Sequence, residues 1–143
     1  MAGLINGSLS ALAPTFAVPM ATHQPHYAFL AVLATAIGAG VSMAFSEGLS
    51  DTGDLTGRGH PLLRGAITGA STVLGGVLHT LPFLLLQYRP AMLLALAVIA
   101  FELRALAWTR RQFFGTRFVS SLVSVTLGGA IIVTTSAALG TVR

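Results

Sequence analysis

The 143-residue chain contains no cysteine and no lysine, and only 8% of its residues are charged. Without cysteine it has no disulfide bond, no thiolate metal ligand and no thiol redox chemistry, so any metal site must use oxygen, imidazole or thioether ligands. The formal net charge of +4 comes from eight arginines that form no dense basic run. These arginines therefore indicate membrane topology, and no nucleic-acid partner is expected.

Hydrophobic residues make up 54% of the chain, a composition typical of a membrane protein and not of a soluble domain. A bilayer-spanning helix needs about 20 mostly apolar residues, and five windows of the sequence satisfy that requirement. We therefore predict an all-α membrane protein with residues 1–143 forming a single transmembrane domain, a five-helix bundle in the lipid bilayer. The predicted spans are 2–22, 27–49, 62–86, 91–108 and 118–140.

Small residues recur at helical spacing in two of these spans. In the second span, Ala34, Gly38 and Ser42 are four residues apart, a stripe that lets helices approach closely. The third span carries a longer series, which predicts a packed interior helix. That series is Gly65, Gly69, Thr72, Gly75 and Gly76.

The arginines also predict the orientation of the bundle. Five lie beside the links between spans two and three and between spans four and five: Arg58, Arg64, Arg110, Arg111 and Arg117. The opposite side carries only Arg89 and Arg143. The positive-inside rule then places the N-terminus in the cytoplasm and the C-terminus outside, for a multi-pass protein of the cell inner membrane.

Glu102 lies within the fourth predicted span, where an ionised side chain costs about 2.5 to 3.5 kcal/mol. It follows Arg89 by 13 residues, or about 20 Å of helix, and its helical neighbours three and four residues away cannot pair with it. Glu102 is either a substrate or proton site, or a structural partner of an arginine such as Arg64. Arg104 is expected to extend its side chain to the cytoplasmic interface.

Met43 and Glu47, in the stretch "SMAFSEG", are four residues apart and lie on one helix face, and Asp51 extends the same line. A thioether with a carboxylate suits Fe²⁺ or Mn²⁺ better than Mg²⁺. In the alternative interpretation Met43 is a packing residue and Glu47 is solvated at the membrane edge. His79, in "GGVLHTLP", is either a ligand or proton carrier, or a hydrogen-bonded packing residue.

Longer stretches of the sequence carry a family resemblance. "GLINGSLSALAP" followed by "GAGVSMAFSEGLSD" resembles the first two spans of the vacuolar iron transporter family, in which a "DG" motif precedes a "SMAxGE" motif. The stretch "DLTGRGHPLLRGAITGASTVLGGVLHTLPFL" is similar to the membrane half of bacterial iron exporters that fuse a ferritin-like (erythrin) domain to such a transporter domain. "FELRALAW" and "LGGAIIV" extend the likeness over nearly the whole chain.

This resemblance implies a five-helix homodimer that exports Fe²⁺ from the cytoplasm along a path between its subunits, coupled to inward proton movement, with Mn²⁺ as a second candidate substrate. The metal is then a transported ion and no permanently bound cofactor is expected. The motif match makes Met43 and Glu47 metal-pathway ligands and points at Asn6 in the first helix. Because an amide can coordinate a cation but cannot carry a proton, Asn6 departs from the acid usual at that position.

The functional hypothesis is therefore a divalent-metal transporter with Asn6, Met43, Glu47 and Asp51 at the metal mouth and Glu102 and His79 as a proton or metal relay. A separate ferritin-like protein is a candidate partner, because the chain contains no such domain. The alternative is a non-transporting membrane anchor or accessory subunit, or a truncated fragment of a fusion exporter. No enzyme is expected, since none of the common hydrolase motifs occurs.

Overall fold

The computed structural model describes residues 2–50, 52, 57, 59–115 and 117–142. Asp51, Arg58 and Arg143 lie outside the described residues. Within these residues, five helical segments are each long and apolar enough to cross a membrane, so this is an all-α, multi-pass membrane protein as predicted. Its α-helices are α1 (Ala2–Thr22), α2 (Pro25–Gly48), α3 (Pro61–Val77), α4 (Tyr88–Phe114) and α5 (Phe118–Thr141), and the third span continues beyond α3 to Leu84.

Proline and glycine set several helix boundaries. Pro25 and Pro61 occupy the first turns of α2 and α3, where a missing N–H costs nothing and the fixed φ favours the helix. Gly115, at φ 62°, ends α4 in the left-handed conformation that suits glycine. Because nothing breaks the pattern before Gly115, α4 continues six residues beyond its predicted end at residue 108.

The third predicted span changes its helix type partway along. After α3 ends at Val77, the chain continues as a 3₁₀ helix from Leu78 to Leu84. Pro82 lies inside this segment and cannot donate the backbone hydrogen bond that an α-helix requires of it. The predicted continuous helix over 62–86 is therefore an α-helix followed by a tighter turn, with His79 at the transition.

Helix α3 packs between α1 and α2, and glycines set its distance to both neighbours. A Cβ on Gly40 of α2 would meet Gly69 and Val73, and one on Gly76 would meet Ala36, so α2 and α3 run antiparallel. Helix α1 runs parallel to α3, because Gly3 lies beside Thr68 and Gly7 lies beside Gly76. All the small residues predicted to line the interior of this span are buried, which confirms that prediction.

The small-residue stripe predicted on α2 lies on the wrong face for packing within one chain. Gly38 is exposed and has open space where a side chain would begin, and Ala34 and Ser42 are also exposed. The packed face of α2 instead carries Ala36 and Gly40. Both series repeat every four residues, so spacing alone did not distinguish them.

An apolar core joins α1 to α2, α4 and the 3₁₀ helix. Its two clusters of buried residues are Ala11, Ala28, Val32, Phe83, Ala91 and Ala95, and Leu12, Phe16 and Ile99. Large exposed apolar side chains cover the outside of the bundle, among them Leu93 and Phe101 of α4 and Ile131 of α5. Such a surface fits hydrocarbon and not water as the surrounding medium.

Candidate functional site

Three polar side chains from three helices meet inside the bundle. Ser8 of α1 donates a hydrogen bond of 3.1 Å to Glu102 Oε1 of α4. His79 Nε2, at the start of the 3₁₀ helix, lies 3.1 Å from Glu102 Oε2. The His79 side chain is 1% exposed and that of Glu102 is 10% exposed. We call Ser8, His79 and Glu102 the polar triad.

Local helix geometry decides which nitrogen of His79 faces Glu102. Its Nδ1 lies 3.3 Å from the carbonyl oxygen of Gly75, one turn earlier. A protonated Nδ1 would donate to this carbonyl, and in that tautomer the Nε2 of a neutral ring presents a lone pair to Glu102. A hydrogen bond between Nε2 and Oε2 then requires one further proton, on Glu102 or on the ring.

That proton gives the pair two charge distributions of equal total charge. Either Glu102 is a neutral acid beside neutral His79, or a carboxylate beside an imidazolium. The Nε2–Oε2 contact is short but is not aligned as a hydrogen bond, and neither atom has a hydrogen-bond partner among the described residues. A small rotation of the ring or the carboxyl group is therefore enough to form or break their link.

A small cavity adjoins the polar triad. Its volume is about 10 Å³, which is at the lower limit for one water molecule. Apolar side chains complete its wall: Leu9, Leu12, Ile99, Leu103 and Leu106. The Glu102 side chain is only 10% exposed beside this cavity, so the triad has little contact with the surroundings of the bundle in this conformation.

Glu47 lies in a second charged site, at the end of the bundle where α2 ends and α3 begins, which we call the α2–α3 end. Its Oε1 is 3.2 Å from Nε of Arg64 in the first turn of α3. The Glu47 side chain is 23% exposed and that of Arg64 is 12% exposed. Arg64, which the sequence offered as a structural partner of Glu102, pairs instead with Glu47. Glu102 contacts His79 and Ser8.

The Arg64 guanidinium also contacts three neutral oxygens. Its Nη2 donates to the Glu47 carbonyl oxygen and to Ser50 Oγ, each at 3.2 Å, and its Nη1 donates to the Gly59 carbonyl oxygen at 3.3 Å. These carbonyls belong to the last turn of α2 and to the residues just before α3. The cation therefore lies at the negative end of the α2 dipole, and α2 has no basic residue of its own in its last turn.

The remaining predicted metal residues lie at different levels of the bundle. Met43 and Glu47 are both half-buried on α2, one helical turn apart. Half-buried Asn6 precedes Gly7, which packs at Thr72 of α3. Since Glu47 lies level with Arg64, Asn6 is displaced from it by about 10 Å along α3.

The described part of the chain therefore does not bring the predicted metal ligands together at one point. No group of three or more His, Asp or Glu side chains comes together there as a metal site. Asp51, the fourth predicted mouth residue, lies outside the described residues. The structure joins Glu102 with His79 directly, and leaves Glu47, Met43 and Asn6 as a series at increasing depth from the α2–α3 end.

One face of α3, continued into the 3₁₀ helix at His79, connects these levels. Its residues are three or four apart, so they lie on a common face, and they become more buried from the α2–α3 end inward. We call them the α3 polar face: Arg64, Thr68, Ser71, Gly75 and His79. Helix α1 begins to cover it at Gly3, which contacts Thr68 and Ser71. More than about 20 Å of helix separates its two ends.

Sequence reasoning missed two participants in these sites. Ser8 was not singled out, because a serine in an apolar helix usually bonds its own backbone. Arg64 was counted as a topology marker and as a candidate partner of Glu102, not of Glu47. The spacing of Thr68, Ser71 and His79 after Arg64 was the available signal, since polar residues on one helix face of a membrane span are seldom lipid-facing.

Comparison of the chain with protein-family models, with curated proteins and with solved structures finds no match. The resemblance to vacuolar iron transporters therefore stays an expectation drawn from the sequence.

Proposed function

We propose that the chain is a membrane transporter that exports a divalent metal ion, Fe²⁺ with Mn²⁺ as a second candidate, in exchange for protons. The observation that carries the proposal is the polar triad, in which His79 Nε2 lies 3.1 Å from Glu102 Oε2 inside a bundle of apolar helices, a geometry that suits one proton shared by the two groups. An ionisable pair in a membrane interior is costly and is a functional site by default. A merely structural contact between helices does not need two titratable groups.

The triad supplies what an exchange mechanism needs. While the shared proton is present, Glu102 and His79 together are neutral, because the imidazolium offsets the carboxylate or both are uncharged. When the proton leaves, the pair carries one negative charge, which attracts a cation into the bundle. Cation and proton then bind in alternation, since each stabilises the state without the other.

Glu47 and Met43 supply the first ligands in this proposal. The carboxylate lies at the α2–α3 end and the thioether one turn further in, which is a ligand pair of intermediate softness. The α3 polar face leads inward from this level to His79. Following the arginine count, this end faces the cytoplasm in our proposal, so that metal moves from Glu47 toward the opposite side of the inner membrane.

A homodimer remains part of the proposal. The described residues of one chain bring no three acidic or histidine ligands together, and a second copy offers further ligands to an ion at their interface. A separate ferritin-like protein would deliver iron to the α2–α3 end.

The proposal is tested by flux measurements on the purified chain in liposomes. We expect Mn²⁺ or Fe²⁺ to cross the wild-type vesicles faster than empty vesicles, and Glu47→Gln to slow this flux. An arginine removed elsewhere, Arg111→Gln in the last turn of α4, is the control and should leave the flux unchanged. Metal flux equal to that of empty vesicles for the wild-type protein would reject transport and favour the anchor or accessory-subunit alternative.

A further inference from the structure

The Glu47 site already holds a cation, which belongs to the protein itself. Among the described residues, the Arg64 guanidinium contacts one carboxylate oxygen, two backbone carbonyl oxygens and one hydroxyl oxygen, all at 3.2 to 3.3 Å. All four are hard oxygen donors of the kind that bind divalent cations. We call these four oxygens the oxygen cage: the Glu47 carboxylate oxygen, the Glu47 and Gly59 carbonyl oxygens, and the Ser50 hydroxyl oxygen.

Two of these oxygens converge on one point. The Glu47 carbonyl oxygen and Ser50 Oγ are each 3.2 Å from the same nitrogen, Nη2 of Arg64. They are also held together by a hydrogen bond of 2.9 Å from Ser50 Oγ to the Glu47 carbonyl oxygen. The carboxylate of the same Glu47 lies beside Nε. The position of Nη2 is therefore where a metal ion would gain two neutral oxygens and, after a small side-chain rotation, a carboxylate.

We propose that Arg64 is a tethered competitor of the transported ion, which keeps the oxygen cage occupied until a divalent cation displaces its guanidinium. The inference rests on the proposed function, and it assigns to Arg64 the regulation of metal entry at the α2–α3 end. The exchange replaces the singly charged guanidinium beside the Glu47 carboxylate with a doubly charged ion, so the net charge of the cage rises by one.

The geometry leaves the displaced side chain somewhere to go. Arg64 lies in the first turn of α3, close to the membrane boundary, and its side chain is 12% exposed where it is bound. A long arginine side chain can extend along apolar surface and place its charge among lipid headgroups. In that position it no longer opposes a cation moving along the α3 polar face. The ion and the guanidinium are thus mutually exclusive occupants.

A purely structural role makes a different prediction. If Arg64 serves only to cap the C-terminal carbonyls of α2, removing it loosens the cage and weakens metal binding. If it competes with the ion, removing its charge strengthens binding, because Arg64 then no longer occupies the oxygens that the ion would use. The direction of the change separates the two roles.

The experiment measures Mn²⁺ binding to the purified full chain in lipid nanodiscs, using the loss of the free Mn²⁺ electron paramagnetic resonance signal. We expect Arg64→Gln to bind Mn²⁺ about tenfold more tightly than the wild type, as for a pair intermediate between exposed and buried. The double variant Arg64→Gln/Glu47→Gln should lose this gain, and Arg111→Gln should match the wild type. Unchanged or weaker binding by Arg64→Gln, or a gain that survives loss of Glu47, would overturn the proposal.

Arg64→Lys keeps the inference falsifiable if Arg64→Gln does not fold, as judged by size-exclusion chromatography. A lysine ammonium retains the charge but lacks the planar fork that reaches several oxygens at once. We expect Mn²⁺ affinity about two- to threefold above the wild type, because part of the competition is lost. Affinity equal to or below that of the wild type would contradict a competing tether.

The tether and the transport function fail in different ways. Glu47-dependent binding that strengthens in Arg64→Gln, without metal flux in any variant, would support the tether and reject transport. Glu47-dependent flux whose apparent metal affinity does not rise in Arg64→Gln would support transport and reject the tether.

Discussion

Two carboxylates of this protein are paired with cationic or titratable partners, yet their surroundings differ. Glu102 lies deep in the bundle beside His79, with 10% of its side chain exposed, whereas Glu47 lies at the α2–α3 end beside Arg64, with 23% exposed. Arginine is always charged, while histidine gains and loses a proton near neutral pH. The Glu47 pair can therefore open only by movement, but the Glu102 pair can change its charge in place.

Within the proposed transport function, the contrast suits the two sites to different steps. A permanently charged partner at the mouth makes Glu47 suited to exchange one cation for another. A titratable partner in the interior makes Glu102 suited to exchange a cation for a proton. Burial should also make the interior pair matter more for folding, because an orphaned polar group costs more where water cannot reach it. The following changes test this difference, beginning with the largest expected effect.

Gly7→Ala tests the packing that brings the interior pair together. A Cβ at Gly7 would collide with the backbone carbonyl of Thr72, so α1 must move away from α3 and take Ser8 from Glu102. We expect a loss of about 3 kcal/mol in the free energy of unfolding, measured by titration with denaturing detergent in mixed micelles. Gly38→Ala, where the added methyl group meets open space, is the matched control and should change stability little. Equal stability of the two variants would show that the α1–α3 contact is looser than described.

His79→Leu tests the cost of separating the buried pair. It leaves Glu102 with the hydrogen bond from Ser8. We expect a loss of about 2 kcal/mol in the free energy of unfolding, measured in the same assay. The double variant His79→Leu/Glu102→Leu should recover much of this loss, because neither member of the buried pair is then left without the other. If the double variant were less stable than His79→Leu by the full effect of a second independent change, the two residues would not act as a pair.

Ser8→Ala removes the one hydroxyl that donates to Glu102, while the contact with His79 remains. We expect a loss of about 1 kcal/mol in the free energy of unfolding, the usual value of a single hydrogen bond. Ser124→Ala is the control, because that exposed hydroxyl bonds only its own helix backbone at Ser120 among the contacts described. A loss no larger than that of the control would remove Ser8 from the triad.

Glu47→Gln should have the smallest effect on folding. The pair with Arg64 is partly exposed, and an amide oxygen still accepts a hydrogen bond, so we expect a loss of about 0.5 kcal/mol. Raising the salt concentration should shrink this difference further by screening, and should leave the effect of His79→Leu unchanged. If Glu47→Gln destabilised the protein as much as His79→Leu, the comparison between the two sites would not hold.

The sequence predicted the helices well, because continuous apolar runs leave few alternatives in a membrane. The interior position of the third span was also predictable, since its small residues from Gly65 to Gly76 recur every three or four positions and so lie on one side of the helix. The face on which α2 packs was not, because Ala34–Gly38–Ser42 and Ala36–Gly40–Ala44 have the same spacing.

The pairings of the charged residues could not be predicted from the sequence. Ser8 and Glu102 are 94 positions apart, and their contact depends on how far α1 is shifted along α3. That shift is set by the fit of Gly3 and Gly7 against α3, which no property of either segment alone reveals. The candidate status of Glu102 and His79 was visible from their chemistry, but their pairing required the fold.

The central claim, that Glu102 exchanges protons while Glu47 receives the metal ion, is tested most directly by measuring both fluxes in the same liposomes. Mn²⁺ movement and the internal pH would be followed together for the wild type, Glu102→Gln and Glu47→Gln. We predict proton counterflow with the metal in the wild type, loss of that counterflow in Glu102→Gln, and slower metal flux with an unchanged proton-to-metal ratio in Glu47→Gln. Proton-coupled Mn²⁺ flux that persists in Glu102→Gln at the wild-type ratio would contradict the claim.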